Sequence, residues 1–178
     1  MAVLHYLARE CARKGTKLIA AVGHTELLPI VEESIRLAYT TVGKPEGFKS
    51  DSIRYIPEHA YTVGMVALMK RENITSNVFA GPFYHEAIIL CEAGNALGCF
   101  QIGATAFTAQ LPWMVACCNF NLIGEELMAA GAYLSKDPLQ LGSLVGEDMY
   151  KAVALVIGLA GVATISLGSK IVLDLLKL

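Results

Sequence analysis

Clustered positive charge is missing from this sequence, and that absence bounds the partners the protein can have. The 178 residues include 14 Lys and Arg against 16 Asp and Glu, and the basic residues form no run along the chain. A protein surface that binds nucleic acid needs grouped cations, whereas dispersed charges of both signs form an ordinary solvated surface. The composition therefore predicts no nucleic-acid partner.

Cysteine spacings typical of metal sites are also lacking. The five cysteines are Cys11, Cys91, Cys99, Cys117 and Cys118, and no two of them have the Cys-x-x-Cys spacing. Adjacent cysteines on a strand point to opposite faces, which disfavours joint chelation by Cys117 and Cys118. We therefore predict buried, reduced thiols, with no metal and no cofactor.

The N-terminal residues lack the pattern of a signal peptide. In "MAVLHYLARECARKG" the apolar positions are interrupted by Arg9, Glu10, Arg13 and Lys14. An export signal would instead hold an unbroken apolar core. Together with the unpaired thiols, this pattern predicts a cytoplasmic location for the N-terminal domain.

Charge is absent again near the C-terminus, between Lys151 and Lys170. As a helix, residues 152–169 would rise about 27 Å, close to the roughly 30 Å thickness of a bilayer core. We therefore predict that residues 151–178 form a transmembrane helix with a short extension, making this a single-pass protein of the cell membrane with the lipid bilayer as a partner. The alternative is a helix buried in a protein core.

Small residues recur at helical spacing within this segment and predict that the helix associates with another helix. They are Ala154, Gly158, Ala160, Gly161, Thr164 and Gly168. This pattern predicts a homo-oligomer.

The rest of the chain alternates short apolar runs with longer amphipathic segments. The predicted strands are residues 17–23, 52–57, 77–81, 99–105 and 119–124. Strands that alternate with helices favour a parallel sheet covered on both faces. We therefore predict a three-layer, mostly parallel, five-stranded Rossmann-like α/β sheet in residues 1–136, followed by a linker over 137–150.

Ligands of parallel α/β sheets bind at the carboxyl ends of the strands. The loops expected there are "GHTE", "AGPFYHE", "GATAF" and "GEEL", and they contain none of the glycine fingerprints of nucleotide-binding proteins. The candidate ligand-binding residues in and beside these loops are Gly81, Tyr84, Glu86, Gly103, Thr105, Glu125 and Glu126.

Two interpretations of the acidic residues stay open. Glu86, with His85 beside it or Glu125 opposite, has the residue types of an acid–base pair. However, carboxylates in the first turn of a helix also complement its dipole, and this applies to Glu86 and to Glu125–Glu126. The capping interpretation is the simpler one, so we assign no catalytic residue.

Several strings of the sequence resemble a family of uncharacterised bacterial and archaeal membrane proteins, grouped as a domain of unknown function. The strings are "FYHEAIILCEAGNALGCFQIGAT", "AQLP", "LIGEELMAAGAYLS" and "LGSLVGEDMYKA". The resemblance implies a cytoplasmic α/β domain tethered to a membrane, with no established activity.

This chain departs from the family pattern at three places. The pattern has a small residue where this chain has His85, and an aspartate where it has Asn119. Relatives also carry an additional N-terminal membrane segment. The resemblance therefore implies one of two cases: this chain is a short member of the family, or a second membrane polypeptide is a partner that supplies the missing part.

Three hypotheses for the function follow. The first is a membrane-anchored, homo-oligomeric scaffold or assembly subunit without catalytic activity. The second is a receptor or sensor that binds a small ligand in the strand-end crevice. The third is an acid–base enzyme that uses Glu86 with His85 or Glu125. The absence of a catalytic motif places the scaffold first.

Overall fold

The computed structural model describes residues 1–166, and these fall into an α/β body followed by one long helix. The helices are α1 (Ala2–Lys14), α2 (Leu28–Thr41), α3 (Tyr61–Arg71), α4 (Glu86–Ala96), α5 (Leu111–Cys117), α6 (Glu126–Ser135) and α7 (Pro138–Ser166). The strands are β1 (Ala20–Val22), β2 (Ile53–Tyr55), β3 (Ser76–Ala80), β4 (Phe100–Thr105) and β5 (Phe120–Ile123). The chain divides into two compact units, Met1–Ser135 and Lys136–Leu178.

The strands form two small parallel sheets. One contains β1 and β2, with Ala20 opposite Ile53. The other has the order β3-β4-β5, with Ser76 opposite Phe100 and Ile102 opposite Phe120. The prediction of a single five-stranded Rossmann-like sheet is therefore wrong. Periodicity identifies strands, but which edges pair is decided by packing between distant segments, and local sequence does not encode this.

Each sheet has its own hydrophobic core. The first core joins α1, β1 and α2, and its buried residues are Ala8, Ala12, Val22, Val31, Ile35, Ala38 and Tyr39. The second core lies between β3 and the helices α3, α4 and α5, with residues around Cys118; its buried members are Met69, Phe79, Ala87, Leu90, Cys91, Met114 and Cys118. The two separate cores match the two separate sheets.

Helix ends in the body are set by glycines that the sequence pattern identifies as stops. Gly15 follows α1 with φ of 68°, and its N–H donates to the carbonyl of Cys11. Gly43 and Gly98, which follow α2 and α4, have φ of 76° and 70°. Residues other than glycine rarely adopt this left-handed backbone conformation, so glycine ends these helices at little energetic cost.

Helix α7 overturns the predicted transmembrane helix. Its uncharged part within the described residues is 152–166. Glu147, Asp148 and Lys151 lie directly before it. Among the residues that the structure describes, no helix combines the length and apolar character needed to cross a membrane. The predicted single-pass localisation in the cell membrane is therefore wrong.

The small residues predicted to mediate helix association lie on α7, except Gly168, which falls outside the described residues. Ala154, Gly158 and Ala160 are exposed, whereas Gly161 and Thr164 are half-buried. The Thr164 hydroxyl donates to the carbonyl of Gly161 at 2.9 Å. No atom lies within 4 Å of where a Cβ at position 158 would be.

Candidate functional site

The carboxyl ends of β3, β4 and β5 form one edge of the larger sheet, because the three strands are parallel and adjacent. Three loops leave this edge, comprising residues 81–85, 106–110 and 124–125. Each loop leads directly into a helix. This arrangement is the one at which open α/β sheets bind ligands.

Two glycines extend the hydrogen bonding of the sheet into these loops. The N–H of Gly81 donates to the carbonyl of Ala104 at 3.0 Å, and the N–H of Gly124 donates to the carbonyl of Thr105 at 2.9 Å. Gly81 has φ of 138° and Gly124 has φ of 59°, which are conformations that disfavour other residues. The predicted candidate Gly81 is therefore required by the turn itself.

Gln110 connects two of the loops from within the protein. Its side chain is buried, and its Oε1 accepts the N–H of Phe83 at 3.1 Å and lies 3.4 Å from the Thr105 hydroxyl. An amide oxygen can accept both hydrogens, so this geometry fixes the orientation of the carboxamide. Gln110 thereby holds the β3–α4 loop against the β4–α5 loop.

The side chains of Glu86 and Glu126, the two candidate residues that begin helices, accept hydrogen bonds from backbone amides of nearby residues. The Oε2 of Glu86 accepts the N–H of Tyr84 at 3.0 Å, and the Oε2 of Glu126 accepts the N–H of Ile123 at 2.8 Å. Both residues lie in the first turn of their helices, α4 and α6. The contacts tie each carboxylate to the segment just before its helix, since Tyr84 lies in the β3–α4 loop and Ile123 is the last residue of β5.

Two other candidates are buried packing positions. A Cβ at Gly103 would lie 2.8 Å from Oδ1 of Asn121 and 3.1 Å from Sδ of Met114, so this position allows α5 to approach β4 closely. The Thr105 hydroxyl accepts the N–H of Phe107 at 3.1 Å and so shapes the following loop. Neither residue offers its side chain to a ligand.

The groups of this edge that do face solvent are mainly aromatic. The rings of Tyr84 and Phe107 meet edge to face, with centroids 5.6 Å apart, and the residues are 59% and 44% exposed. His85, which follows Tyr84 in the chain, and Glu125, in the loop after β5, are also exposed. An exposed edge-to-face pair can pack against a planar or apolar group.

The structure brings together three of the four predicted loops. The candidates from Gly81 to Glu126 belong to the β3-β4-β5 sheet, to the loops that leave it or, for Glu86 and Glu126, to the first residues of the helices that follow. The "GHTE" loop instead follows β1 in the two-stranded sheet, where Gly23 lies against the ring of Tyr61. The "GHTE" loop therefore lies at the edge of the two-stranded sheet and not at the edge formed by β3, β4 and β5.

Two residues that organise the edge, Gln110 and Phe107, are not among the predicted candidates. Gln110 is the residue directly before the Leu-Pro pair that opens α5, and a polar residue at such a position is a usable signal for a helix start. The partners of its carboxamide lie on other segments, and no spacing rule identifies them.

A separate concave surface of about 510 Å³ lies between α1 and α2. The Nδ1 of His5 donates to the carbonyl of Ser34 across it at 3.1 Å, which places the ring proton on Nδ1 because a carbonyl can only accept. The lining is His5, Pro29, Ile30, Glu33, Ser34 and Leu37. The surface is shallow and open, and it holds no group of catalytic type other than His5 and Glu33.

The observations define an α/β protein with two small parallel sheets, one organised strand-end edge, and a long apolar helix that forms part of a separate unit. The chain belongs to the family described as "Domain of unknown function (DUF6754)", which matches residues 1–176. The predicted membership of an uncharacterised family is thereby confirmed. Comparisons with curated proteins and with solved structures give no significant match.

Proposed function

We propose that the protein is a homo-oligomeric scaffold or assembly subunit, in which copies associate through α7. The observation that carries this proposal is the exposure of apolar side chains along that helix. Leu141, Val145, Met149 and Val153 follow one another at a spacing of four residues and therefore share one face. We call these four residues the apolar row.

Four polar residues of the same part of α7 lie on the opposite side, whereas Asp148 directly precedes Met149 and lies beside the apolar row. Gln140, Ser143, Glu147 and Lys151 follow at spacings of three and four, and Glu147 and Lys151 form an ion pair at 3.2 Å. This part of α7 therefore has an apolar side and a mainly polar side, and the exposed Leu139 and Tyr150 lie next to the polar residues. An exposed apolar face opposite a charged face is typical of a helix that packs against a partner.

The geometry of the apolar row suits a second copy of the same helix. Residues at spacing four form a ridge, and such ridges interdigitate when two like helices cross. Gly142 and Gly146 lie beside the row, and no atom is within 4 Å of a Cβ placed on either. Small residues of this kind allow two helix backbones to approach closely.

The strand-end edge supports a scaffold better than an acid–base enzyme. Glu86 and Glu126 both bind backbone amides of residues just before their own helices, which is a structural use of the carboxylates. The predicted homo-oligomer and the second polypeptide partner stay predictions, as does the bacterial or archaeal origin implied by the resemblance.

Native mass spectrometry of the full chain tests the proposal. The protein is purified in a mild non-ionic detergent, which suppresses non-specific aggregation, and is measured over a hundredfold range of concentration. A scaffold subunit gives one defined multiple of the 19.1 kDa chain mass. A monomer throughout the range contradicts the proposal.

A second candidate function is the binding of a small planar ligand, and the exposed Tyr84–Phe107 pair favours it. The two rings are held on neighbouring loops that Gln110 connects, so they form a fixed apolar surface. The same mass spectrum reports any retained small molecule. The binding hypothesis predicts a defined additional mass that is lost from Tyr84→Ala and Phe107→Ala, and retained in the Trp113→Ala control.

A further inference from the structure

Two cysteines from distant parts of the chain meet inside the second core. Cys91 lies on α4 and Cys118 lies between α5 and β5, and their Sγ atoms are 3.7 Å apart. Cys91 is fully buried and Cys118 is 9% exposed. The two thiols are therefore in direct contact and shielded from most of the solvent.

The backbone on both sides of this pair is fixed by Gln101 of β4. The fully buried side chain of Gln101 donates from Nε2 to the carbonyl of Cys91 at 2.9 Å and to the carbonyl of Cys117 at 3.2 Å. The N–H of Gln101 donates to Oδ1 of Asn119 at 2.8 Å.

The N–H of Asn119 in turn donates to the carbonyl of Gln101 at 2.9 Å. Cys118 thus lies between two residues, Cys117 and Asn119, that are both bound to Gln101. Since Gln101 also binds the backbone of Cys91, one residue positions both cysteines.

The contact also makes the two thiols chemically different. The hydrogen bond with Cys91 lowers the pKa of the Cys118 thiol, because a thiolate at Cys118 can accept the S–H of Cys91. The same hydrogen bond, together with burial, raises the pKa of the Cys91 thiol. Cys118 is therefore the more nucleophilic member, since the thiolate is the reactive form.

We propose that Cys91 and Cys118 form a site of reversible oxidation, at which a peroxide converts the two thiols into one intramolecular disulfide. The Cys118 thiolate attacks an oxygen of hydrogen peroxide, and the O–O bond breaks to give a sulfenic acid at Cys118 and hydroxide. The hydroxide takes up the proton that the Cys118 thiol released and becomes the first water. The sulfur of Cys91 then attacks Sγ of Cys118. The S–S bond forms, the S–O bond breaks, and a second water leaves. Both thiol hydrogens and two electrons pass to the peroxide.

The remaining cysteines have other surroundings. The thiol of Cys99 donates to the carbonyl of Ile74 at 2.9 Å, and Cys11 lies on α1. Cys117 is half-buried and adjacent to Cys118 in the chain, which makes it the competitor that a test must distinguish.

The experiment treats the reduced, folded full chain with a series of hydrogen peroxide concentrations and then blocks the free thiols with N-ethylmaleimide in denaturant. Peptide mass spectrometry without reductant should show one cross-linked pair, containing Cys91 and Cys118, that disappears after dithiothreitol. The Cys117→Ser variant should give the same cross-link, whereas Cys118→Ser and Cys91→Ser should give none.

Two results would overturn the proposal. One is a wild-type protein in which Cys91 and Cys118 both carry N-ethylmaleimide at peroxide concentrations that oxidise Cys117. The other is a cross-link that joins Cys91 to Cys117 and is lost in Cys117→Ser. The cross-links found by peptide mass spectrometry of the wild type alone distinguish these two results from the expected Cys91–Cys118 pair. A variant that fails to fold therefore does not affect the conclusion.

Discussion

At the scale of single residues, buried amide side chains organise the larger sheet. Gln101 joins α4 to the segment before β5, and Gln110 joins two of the strand-end loops. Each is almost fully buried and each makes contacts to backbone groups of other segments. Buried hydrogen bonds of this kind cost stability when one partner is removed, because the other partner is left unpaired.

Gly94 allows the Gln101 side chain to occupy its place, and this gives the first prediction. A Cβ at position 94 would lie 2.7 Å from the carboxamide carbon of Gln101. Gly94→Ala should therefore lower the free energy of unfolding by about 1–3 kcal/mol, the usual cost of overpacking a core. Urea denaturation of the full chain measures this change.

The matched control for that prediction is Gly131→Ala on α6. A Cβ there would lie 3.8 Å from the Cβ of Ala2, which is an ordinary contact. Alanine also favours a helix over glycine, so this variant should be as stable as the wild type or more so. Equal destabilisation by both substitutions would contradict the role assigned to Gly94.

Gln110 gives a second prediction at this scale. Gln110→Ala should lower the free energy of unfolding by about 1–3 kcal/mol, because the N–H of Phe83 and the Thr105 hydroxyl lose their acceptor. Thr108→Ala, an exposed position in the same loop, is the control and should leave stability unchanged. Thermal unfolding compares the two, and an unchanged Gln110→Ala variant would mean that the loops are held by other contacts.

At the scale of elements, local sequence predicts the helix ends of the α/β body better than it predicts how the strands pair. Gly15, Gly43 and Gly98 mark helix ends in the sequence, and each has the left-handed backbone conformation expected there. Helix α4 begins at Glu86, and the N–H groups of Phe83 and Tyr84 before it donate to side chains.

The pairing of strands and the role of Gly103 could not be predicted in this way. The split into two sheets depends on which strands meet, and strands of three residues such as β1 and β2 carry little pairing information. The sequence around Gly103 is typical of a ligand-binding turn. In the structure, however, the space that a side chain at position 103 would need is occupied by Met114 and Asn121, which belong to later segments of the chain. Contacts across the chain decide both features.

An ion pair between two elements gives a prediction about pH. Lys17, which precedes β1, donates to Glu72 at the end of α3 with a distance of 2.6 Å. This hydrogen bond lowers the pKa of Glu72 below its ordinary value of 4.5. Because the folded pKa is depressed, the stabilisation is present above pH 4.5 and is lost as the pH falls through the folded pKa.

The wild type should therefore unfold at a higher temperature than Glu72→Gln at neutral pH, and the difference should shrink below pH 4.5. The effect should be small, since the Lys17 side chain is solvent-exposed. Glu46→Gln, at an exposed loop position, is the control. A difference that stays constant between pH 7 and pH 3 would show that protonation of Glu72 does not weaken the contact.

At the scale of the whole molecule, the exposed apolar surface of α7 is the feature that most needs an explanation. The sequence correctly identifies the segment as apolar and rich in small residues. The predicted membrane span is wrong, because no helix of the described residues is long and apolar enough to cross a membrane. We propose instead that association with a second copy covers the apolar row of α7. Side chains such as Met149, which is 66% exposed, would be covered in an oligomer.

Sedimentation equilibrium of three forms of the full chain tests this central claim most directly. Met149→Glu places a charge in the apolar row, and Ser143→Glu places the same charge on the polar side of α7. We predict that the wild type and Ser143→Glu sediment as the same oligomer, while Met149→Glu dissociates to smaller species because a buried, unpaired charge is costly. If all three forms have the same mass, α7 does not hold the copies together and the account is wrong.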